Sequence, residues 1–318
     1  MEHFTWNIER EIFSIGSFAL RWYSLLFATG FIIGYQAFVK WCIAESHSLG
    51  WLADTRLREE SGKELPTFTW SDSTLMHLVL GTVIGARLGH CLFYDPEYYL
   101  ARPLEILMVW KGGLASHGGY AGVIISMFLV AKKFRFVPPL WLIDRVAVLS
   151  IMGGGFIRLG NFFNSEIIGR PTDLPWAVVF QKIDNVARHP TQIYEAIGYF
   201  TIAAIGYAYY KAHDRKVLEG RLLGLMAAIA FAFRFFIEFF KENQEAFEDG
   251  MMLNMGQLLS VPYILFALYL FSGKHHGLAF LKPWLSEDGY GTTSPRRYLE
   301  EVTKKEAAKS RPKKKKNR

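Results

Sequence analysis

Seven stretches of this chain are apolar for about the length a helix needs to cross the hydrocarbon layer of a bilayer. They lie at roughly residues 18–42, 74–94, 114–131, 141–163, 192–210, 221–240 and 256–272. Backbone in hydrocarbon must satisfy its own N–H and C=O groups, so recurring runs of this length without period-two alternation read as helices. Charged residues make up only 20% of the 318 and gather between the runs. The expected fold is therefore all-α: a polytopic integral membrane protein of about seven transmembrane helices. Residues 1–275 are expected to form a single transmembrane domain with a short outside arm, 1–17. Residues 276–318 are expected to form a basic, disordered tail on the cytoplasmic side.

Lysine and arginine placement sets the orientation. Segments 43–73, 132–140 and 211–220 each carry three basic residues, and the chain from 274 onward carries thirteen more. The arm before Arg21 holds only Arg10, loop 95–113 holds Arg102 and Lys111, and loop 241–255 holds Lys241. This places the N-terminus outside and the C-terminus in the cytoplasm, which requires an odd number of spans. The first twenty residues do not read as a signal peptide: Glu2, Glu9 and Glu11 stand where a basic region would be, so the first apolar helix is expected to be retained.

Residues 286–318 are polar and end in Lys-Lys-Lys-Lys-Asn-Arg. Such a segment buries too little apolar surface to fold, and its charge suits anionic headgroups or simply fixes topology; nucleic acid is not an expected partner. The two cysteines, Cys42 and Cys91, lie within or at the end of apolar runs and read as packing residues. No Cys/His metal spacing exists, so neither metal nor cofactor is expected. Gly30/Gly34, Gly81/Gly85/Gly89 and Gly118/Gly122 have the small-xxx-small spacing of closely approaching helices. Arg87, inside the second set, needs an ion pair or a cavity.

Polar chemistry is concentrated in a few places. The run Arg158-Leu-Gly-Asn-Phe-Phe-Asn-Ser-Glu-Ile-Ile-Gly-Arg170 follows a long apolar stretch, which sets two arginines, two asparagines and a glutamate at or near membrane depth. Ionisable groups there are costly and mark functional sites by default. Arg21-Trp22-Tyr23-Ser24 opens the first span. His117 stands between glycine pairs in Lys111-Gly-Gly-Leu-Ala-Ser-His-Gly-Gly, where a ligand can come close to the backbone and a histidine can exchange a proton. Arg188-His-Pro-Thr-Gln192-Ile-Tyr194-Glu195 begins the fifth span, and Arg234 and Glu238 lie four apart on one face of the sixth. With the topology above, all these clusters fall toward the outer half of the membrane. An arginine-rich cavity open to lipid suits a phospholipid headgroup, because guanidinium grips phosphate through paired hydrogen bonds. With no nucleotide loop and no nucleophile in a recognisable setting, the pattern points to transfer of part of a phospholipid to an acceptor that brings its own nucleophile. A phospholipid carrier of the flippase type is the alternative, though carriers usually show internal repeats and midplane sites.

These residues resemble the prolipoprotein diacylglyceryl transferase family. The matching elements are Arg21-Trp-Tyr23, Gly112-Gly113 with His117-Gly-Gly119, Arg158 to Arg170, Arg188 to Glu195, Arg234 with Glu238, and Asn254-Met-Gly-Gln-Leu-Leu-Ser-Val-Pro262; they span about residues 15 to 272. The resemblance implies seven helices in the bacterial cytoplasmic (inner) membrane, with the active site toward the outer half. It implies transfer of diacylglyceryl from phosphatidylglycerol to the lipobox cysteine of preprolipoprotein signal peptides, leaving a thioether and glycerol 1-phosphate. It further implies that Arg158 and Arg234 contact phosphate, and that Asn161, Glu166 and Gly169 shape the headgroup site together with Gln192, Glu195 and Glu238. His117 is then the candidate base for the thiol, and Tyr23 orients lipid or acceptor. The charged loop 44–73, Leu114-Ala-Ser116 and the Lys-rich tail depart from the family pattern.

Overall fold

The apolar runs become helices. The computed structural model describes residues 3–15, 18–48, 66–109, 112–133, 138–214, 216–242 and 250–285. In chain order its helices are α1 (Trp22–Ser48), α2 (Pro66–Phe93), the short α3 (Pro96–Ala101), α4 (Ser116–Lys133), α5 (Pro139–Asn164), α6 (Thr191–Ala212), α7 (Arg221–Ile237) and α8 (Met255–Phe271). All except α3 overlie the seven apolar runs. Four helical stretches, Trp22–Trp41, Asp72–Phe93, Pro139–Asn164 and Arg221–Phe240, are long and apolar enough to cross a membrane; Met255–Phe271 is apolar but shorter. The expected tail from 286 onward and the middle of the charged first loop lie outside the described residues.

The chain is not purely α. Among the described residues, five short strands stand outside the long helices: β1 (Phe4–Trp6), β2 (Glu11–Ile15), β3 (Phe18–Arg21), β4 (Val178–Phe180) and β5 (Ala187–Arg188). β1, β4 and β5 make one sheet in that order, with β1 parallel to β4, while β2 and β3 form a hairpin. Strands of two to five residues give almost no periodicity, and β1 finds its partner more than 170 residues away, so nothing local announces the pairing.

By its contacts the chain divides into two compact units, Met1–Lys40 with Asp144–Gly277 and Trp41–Ile143 with Leu278–Arg318. In the first, Trp6 packs on Phe162 at 4.4 Å between ring centroids, and Phe162 on Phe180 at 5.6 Å. This small aromatic core fixes the three-stranded sheet to the end of α5. The N-terminus of α7 has no side-chain cap of its own. Asp144, wholly buried at the start of α5, supplies one: its carboxylate accepts from the amides of Gly220 (2.8 Å) and Leu223 (2.7 Å).

In the second unit, α2 and α4 meet along glycines. A Cβ at Gly85 would strike the carbonyl of Gly118, and one at Gly118 would strike that of Gly85, so the backbones touch without side chains between them. Ser126 adds a hydrogen bond from its hydroxyl to the His77 carbonyl at 2.7 Å. Arg87 uses its guanidinium as a carbonyl clamp, donating to Ile106 (2.9 Å), Gly112 (2.6 Å), Gly113 (3.2 Å) and Glu105 (2.6 Å). It also lies 4.9 Å from the Tyr99 ring centre. Its charge is met by backbone dipoles, an option the sequence alone does not separate from an ion pair.

Replacing Gly118 by Ala forces the α2–α4 backbones apart and is expected to lower stability by about 1–3 kcal/mol. Gly34→Ala, whose new methyl would have Met152 Cε as its nearest neighbour at 3.8 Å, is expected to be neutral or stabilising. Thermal unfolding of the two variants in detergent, compared with the parent protein, checks both outcomes.

Candidate active site

The end of α5 is built to stop abruptly. Ser165 and Ile167 adopt positive φ (55° and 56°), a conformation that is unfavourable for a β-branched residue and persists only where neighbours hold it. The neighbours are the first residues of α6: Gln192 Nε2 donates to the Glu166 carbonyl at 2.7 Å, and the Thr191 hydroxyl to the Ile167 carbonyl at 3.1 Å. Pro190 ends the preceding extended segment and lets α6 begin here, with Thr191, Gln192 and Glu195 buried on its first turns. Gly169 closes the turn against His189, whose carbonyl a Cβ would strike. Within the turn Asn161 joins two predicted residues: its amide donates to Glu166 Oε2 at 3.1 Å, and its carbonyl oxygen faces Arg158 Nη1 at 3.5 Å. Asn164 donates to the other Glu166 oxygen at 3.2 Å.

From Arg158 a chain of charges alternates in sign. Arg158 Nε lies 3.2 Å from Glu195 Oε2. Glu195 Oε1 lies 2.9 Å from Lys241 Nζ, and Lys241 Nζ 3.1 Å from Glu238 Oε1. The same Glu238 oxygen is 3.8 Å from Arg234 Nη2. The Glu195 side chain is 0% exposed and that of Lys241 2%, while Arg234 is 42% exposed, so the network runs from the interior to an accessible guanidinium. Sequence reasoning missed Lys241, counting it as a loop charge. Its i,i+3 spacing from Glu238, straight after a membrane-length run, was the available signal.

The Asn254-Met-Gly-Gln motif also gains a physical account. Asn254 and Gln257 form a reciprocal capping box that starts α8. Asn254 Nδ2 donates to Glu238 Oε2 at 3.2 Å. A Cβ at Gly256 would come within 3.0 Å of the Glu238 carboxylate, so glycine makes the room that carboxylate occupies.

A latch outside α5 and α7 fixes their ends to each other. Arg170 N donates to the Phe240 carbonyl (2.8 Å), Arg170 Nε to the Lys241 carbonyl (2.8 Å) and Glu242 N to the Ile168 carbonyl (3.3 Å). Arg188 bridges Asp184 at 2.6 Å and Glu242 at 3.0 Å. The Arg188 hydrogen bond holds the Asp184 carboxyl below its ordinary value, and the carboxylates raise Arg188 in turn. Burial pushes the neighbouring His189 imidazole below its ordinary value; its Nδ1 lies 3.4 Å from the Tyr194 hydroxyl.

Of the remaining predicted residues, Tyr23 sits in the first turn of α1 directly against Gly160, where a Cβ would lie 2.7 Å from its ring. This brings Tyr23 beside the Arg158–Asn161 turn. Tyr23, Arg158, Asn161, Glu166, Gly169, Gln192, Glu195, Arg234 and Glu238 thus belong to one unit of the fold. His117 belongs to the other unit, where it is exposed on the first turn of α4. The irregular segment before it is held by Ala115 N donating to the Ala86 carbonyl at 2.9 Å, and by the Arg87 clamp on Gly112 and Gly113. Cys91 is a buried free thiol.

Apolar helices of membrane length, with a buried charge network hydrogen-bonded at their ends, define a helical membrane protein with a built polar site. The profile of the prolipoprotein diacylglyceryl transferase family matches residues 10–272. The chain is 43% identical over 265 residues to the phosphatidylglycerol–prolipoprotein diacylglyceryl transferase of Tolumonas auensis, covering 83% of this chain and 95% of that protein. It is 38% identical to the enzyme of the same name from Chloroherpeton thalassium, over 83% and 92% of the two chains. With that of Bacteroides fragilis it shares 39% identity over 85% and 95%. The chain belongs to the prolipoprotein diacylglyceryl transferase family.

Gly256→Ala should push the Glu238 carboxylate off its partners while leaving the helices intact. Displacement of a positioned group by about an ångström lowers turnover by roughly 10- to 100-fold. Circular dichroism should be unchanged while the rate of lipid transfer falls; an unaltered rate would mean Glu238 does not need its present place.

Proposed function

We propose that this protein transfers the diacylglyceryl group of phosphatidylglycerol to the lipobox cysteine thiol of preprolipoproteins, releasing glycerol 1-phosphate. Family membership supports the reaction, and the observation that carries it to particular residues is the Arg158–Glu195–Lys241–Glu238–Arg234 chain. A cationic network presenting two guanidiniums suits a phosphodiester.

In this reading the acceptor sulfur attacks the glyceryl carbon next to phosphate. The new S–C bond forms as the C–O bond breaks, the phosphate oxygen takes the electron pair, and the thiol proton passes to a base, for which His117 is the candidate. The phosphodiester becomes a monoester, so negative charge grows on the phosphate during the step. Guanidiniums already in place stabilise that charge without reorganising. Asn161 and Glu166 hold Arg158 in the turn, Gln192 and Gly169 hold the turn itself, and Tyr23, packed against Gly160 beside it, orients lipid or acceptor. No cofactor enters the balance.

The proposed setting is the bacterial cytoplasmic membrane, crossed by the seven apolar runs with the N-terminus outside. The site then opens toward the outer half, where both a lipid headgroup and an exported signal peptide are within reach. Loop charge asymmetry supports this orientation.

Purified protein incubated with phosphatidylglycerol and a synthetic lipobox peptide should yield a peptide heavier by one diacylglyceryl group. Arg158→Ala should abolish that product while the protein still inserts and folds, since a charge-assisted phosphate contact is worth roughly 2–5 kcal/mol. Near-normal turnover of the variant would refute the phosphate assignment. His117→Gln should depress the maximal rate more than the affinity for lipid if the histidine moves a proton, because a general base typically contributes roughly 10²- to 10⁴-fold. A variant with normal rate and weakened lipid affinity would make it a binding residue.

A further inference from the structure

Lys241 is the one member of the charge chain to which the family resemblance assigned no role. Its ammonium is buried, yet it touches both carboxylates, at 2.9 Å to Glu195 and 3.1 Å to Glu238. Each carboxylate in turn faces one arginine: Glu195 faces Arg158 and Glu238 faces Arg234. These residues come from α5, α6 and α7 and from the 3-10 turn Glu238–Phe240, so Lys241 is the point through which the two arginine–carboxylate pairs are tied together. Its backbone is fixed as well. The Lys241 amide donates to the Glu238 carbonyl at 3.2 Å, its carbonyl accepts from Arg170 Nε at 2.8 Å, and it bridges to Gly169. The ammonium is therefore held on a short, locked segment.

Two things follow physically. A buried carboxylate left with a single cation closes onto it. Without Lys241, Glu195 would draw in Arg158 and Glu238 would draw in Arg234, spending donor edges that an incoming anion needs. The charge count matters too. Counted over these five described residues alone, with Glu166 set aside, three cations and two carboxylates sum to +1, and without the ammonium the sum falls to zero.

We propose that Lys241 is a positioning residue: by sharing its ammonium between Glu195 and Glu238 it keeps the guanidiniums of Arg158 and Arg234 open toward an anionic phosphodiester and keeps the network cationic. This rests on the transfer reaction proposed above, with phosphatidylglycerol as the donor.

The test compares Lys241→Met, Glu195→Gln and the double variant Lys241→Met/Glu195→Gln. KM for phosphatidylglycerol in mixed micelles and kcat with a lipobox peptide are measured alongside thermal unfolding. Lys241→Met should lose roughly 100-fold or more in kcat/KM, as expected when one partner of a buried ion pair is removed, with KM for the lipid raised. The double variant removes one negative charge with the positive one and restores the network to +1. It should recover at least about tenfold over Lys241→Met, and it should be no worse than Glu195→Gln alone. Neither substitution opens a cavity, since Met and Gln nearly keep the volumes of Lys and Glu; a merely structural lysine would show its loss and recovery in thermal unfolding and leave KM for the lipid unmoved. Lys241→Met within about twofold of the parent, or a folded double variant no better than Lys241→Met, overturns the inference. Should Lys241→Met fail to fold, the comparison of the double variant with Glu195→Gln decides alone: a further loss of more than about tenfold overturns it. Absence of transfer by the unsubstituted protein would overturn the proposed function instead, so the two failures are separable.

Discussion

Everything near the site is arranged around the problem of pairing five charges of alternating sign, three of which, Glu195, Lys241 and Glu238, lie buried. A buried ion costs several kcal/mol of lost hydration, and that cost is recovered only when each charge has partners at good geometry. Glu195 has Arg158 and Lys241, while Glu238 has Lys241, Arg234 and Asn254. No single helix can supply such an alternation, since the partners must approach from different directions. The network thus ties together α5, α6 and α7, with Asn254 joining from the N-cap of α8.

The non-helical parts of the first unit make sense as the framework this requires. Side chains ending on three helices are held to within a few tenths of an ångström only if the helix ends are themselves fixed. The strained turn at Ser165–Gly169 is pinned by Thr191 and Gln192; the aromatic core of Trp6, Phe162 and Phe180 braces it from one side, and the Arg170 and Arg188 bonds to residues 240–242 hold it from the other. Backbone at the end of a membrane helix has carbonyls to satisfy, and here they are satisfied by the residues that align the site.

How much of this was legible in the sequence follows from the range of each interaction. The long helices were readable because period and length are local properties. The Arg234–Glu238 pair and the Arg158–Arg170 cluster were readable because each lies within a few residues of chain. What escaped depends on distance along the chain. Arg158 with Glu195, Lys241 with Glu195, and Asp144 with the start of α7 join residues tens of positions apart. Lys241 in particular looked like a solvated loop charge because two phenylalanines precede it and charged residues follow. The strands escaped for the same reason: β1 is three residues long, and its meaning lies wholly in a partner at residue 178. Arg87 was recognised as needing a partner, yet its partners are carbonyls, which every residue carries and no sequence can single out.

The two arginines of the network differ in what their removal would report. Arg158 is only partly buried, with 14% of its side chain exposed, and among the described ion pairs it shares Glu195 with Lys241, so truncating it leaves a buried carboxylate short of one counter-ion in addition to losing the anion contact proposed for it. Arg234 is accessible and its link to Glu238 is long, at 3.8 Å, while Glu238 keeps Lys241 and Asn254 whatever happens to Arg234. Loss of the exposed guanidinium therefore disturbs little of the interior. A defect at Arg158 mixes the energetics of the fold with those of ligand binding, because a missing partner for a buried charge costs as much as a missing contact. On the proposed reading, a defect at Arg234 comes closer to the contact alone, and the accessible end of the network is the place where the worth of a guanidinium to the phosphodiester proposed to bind there can be read most directly.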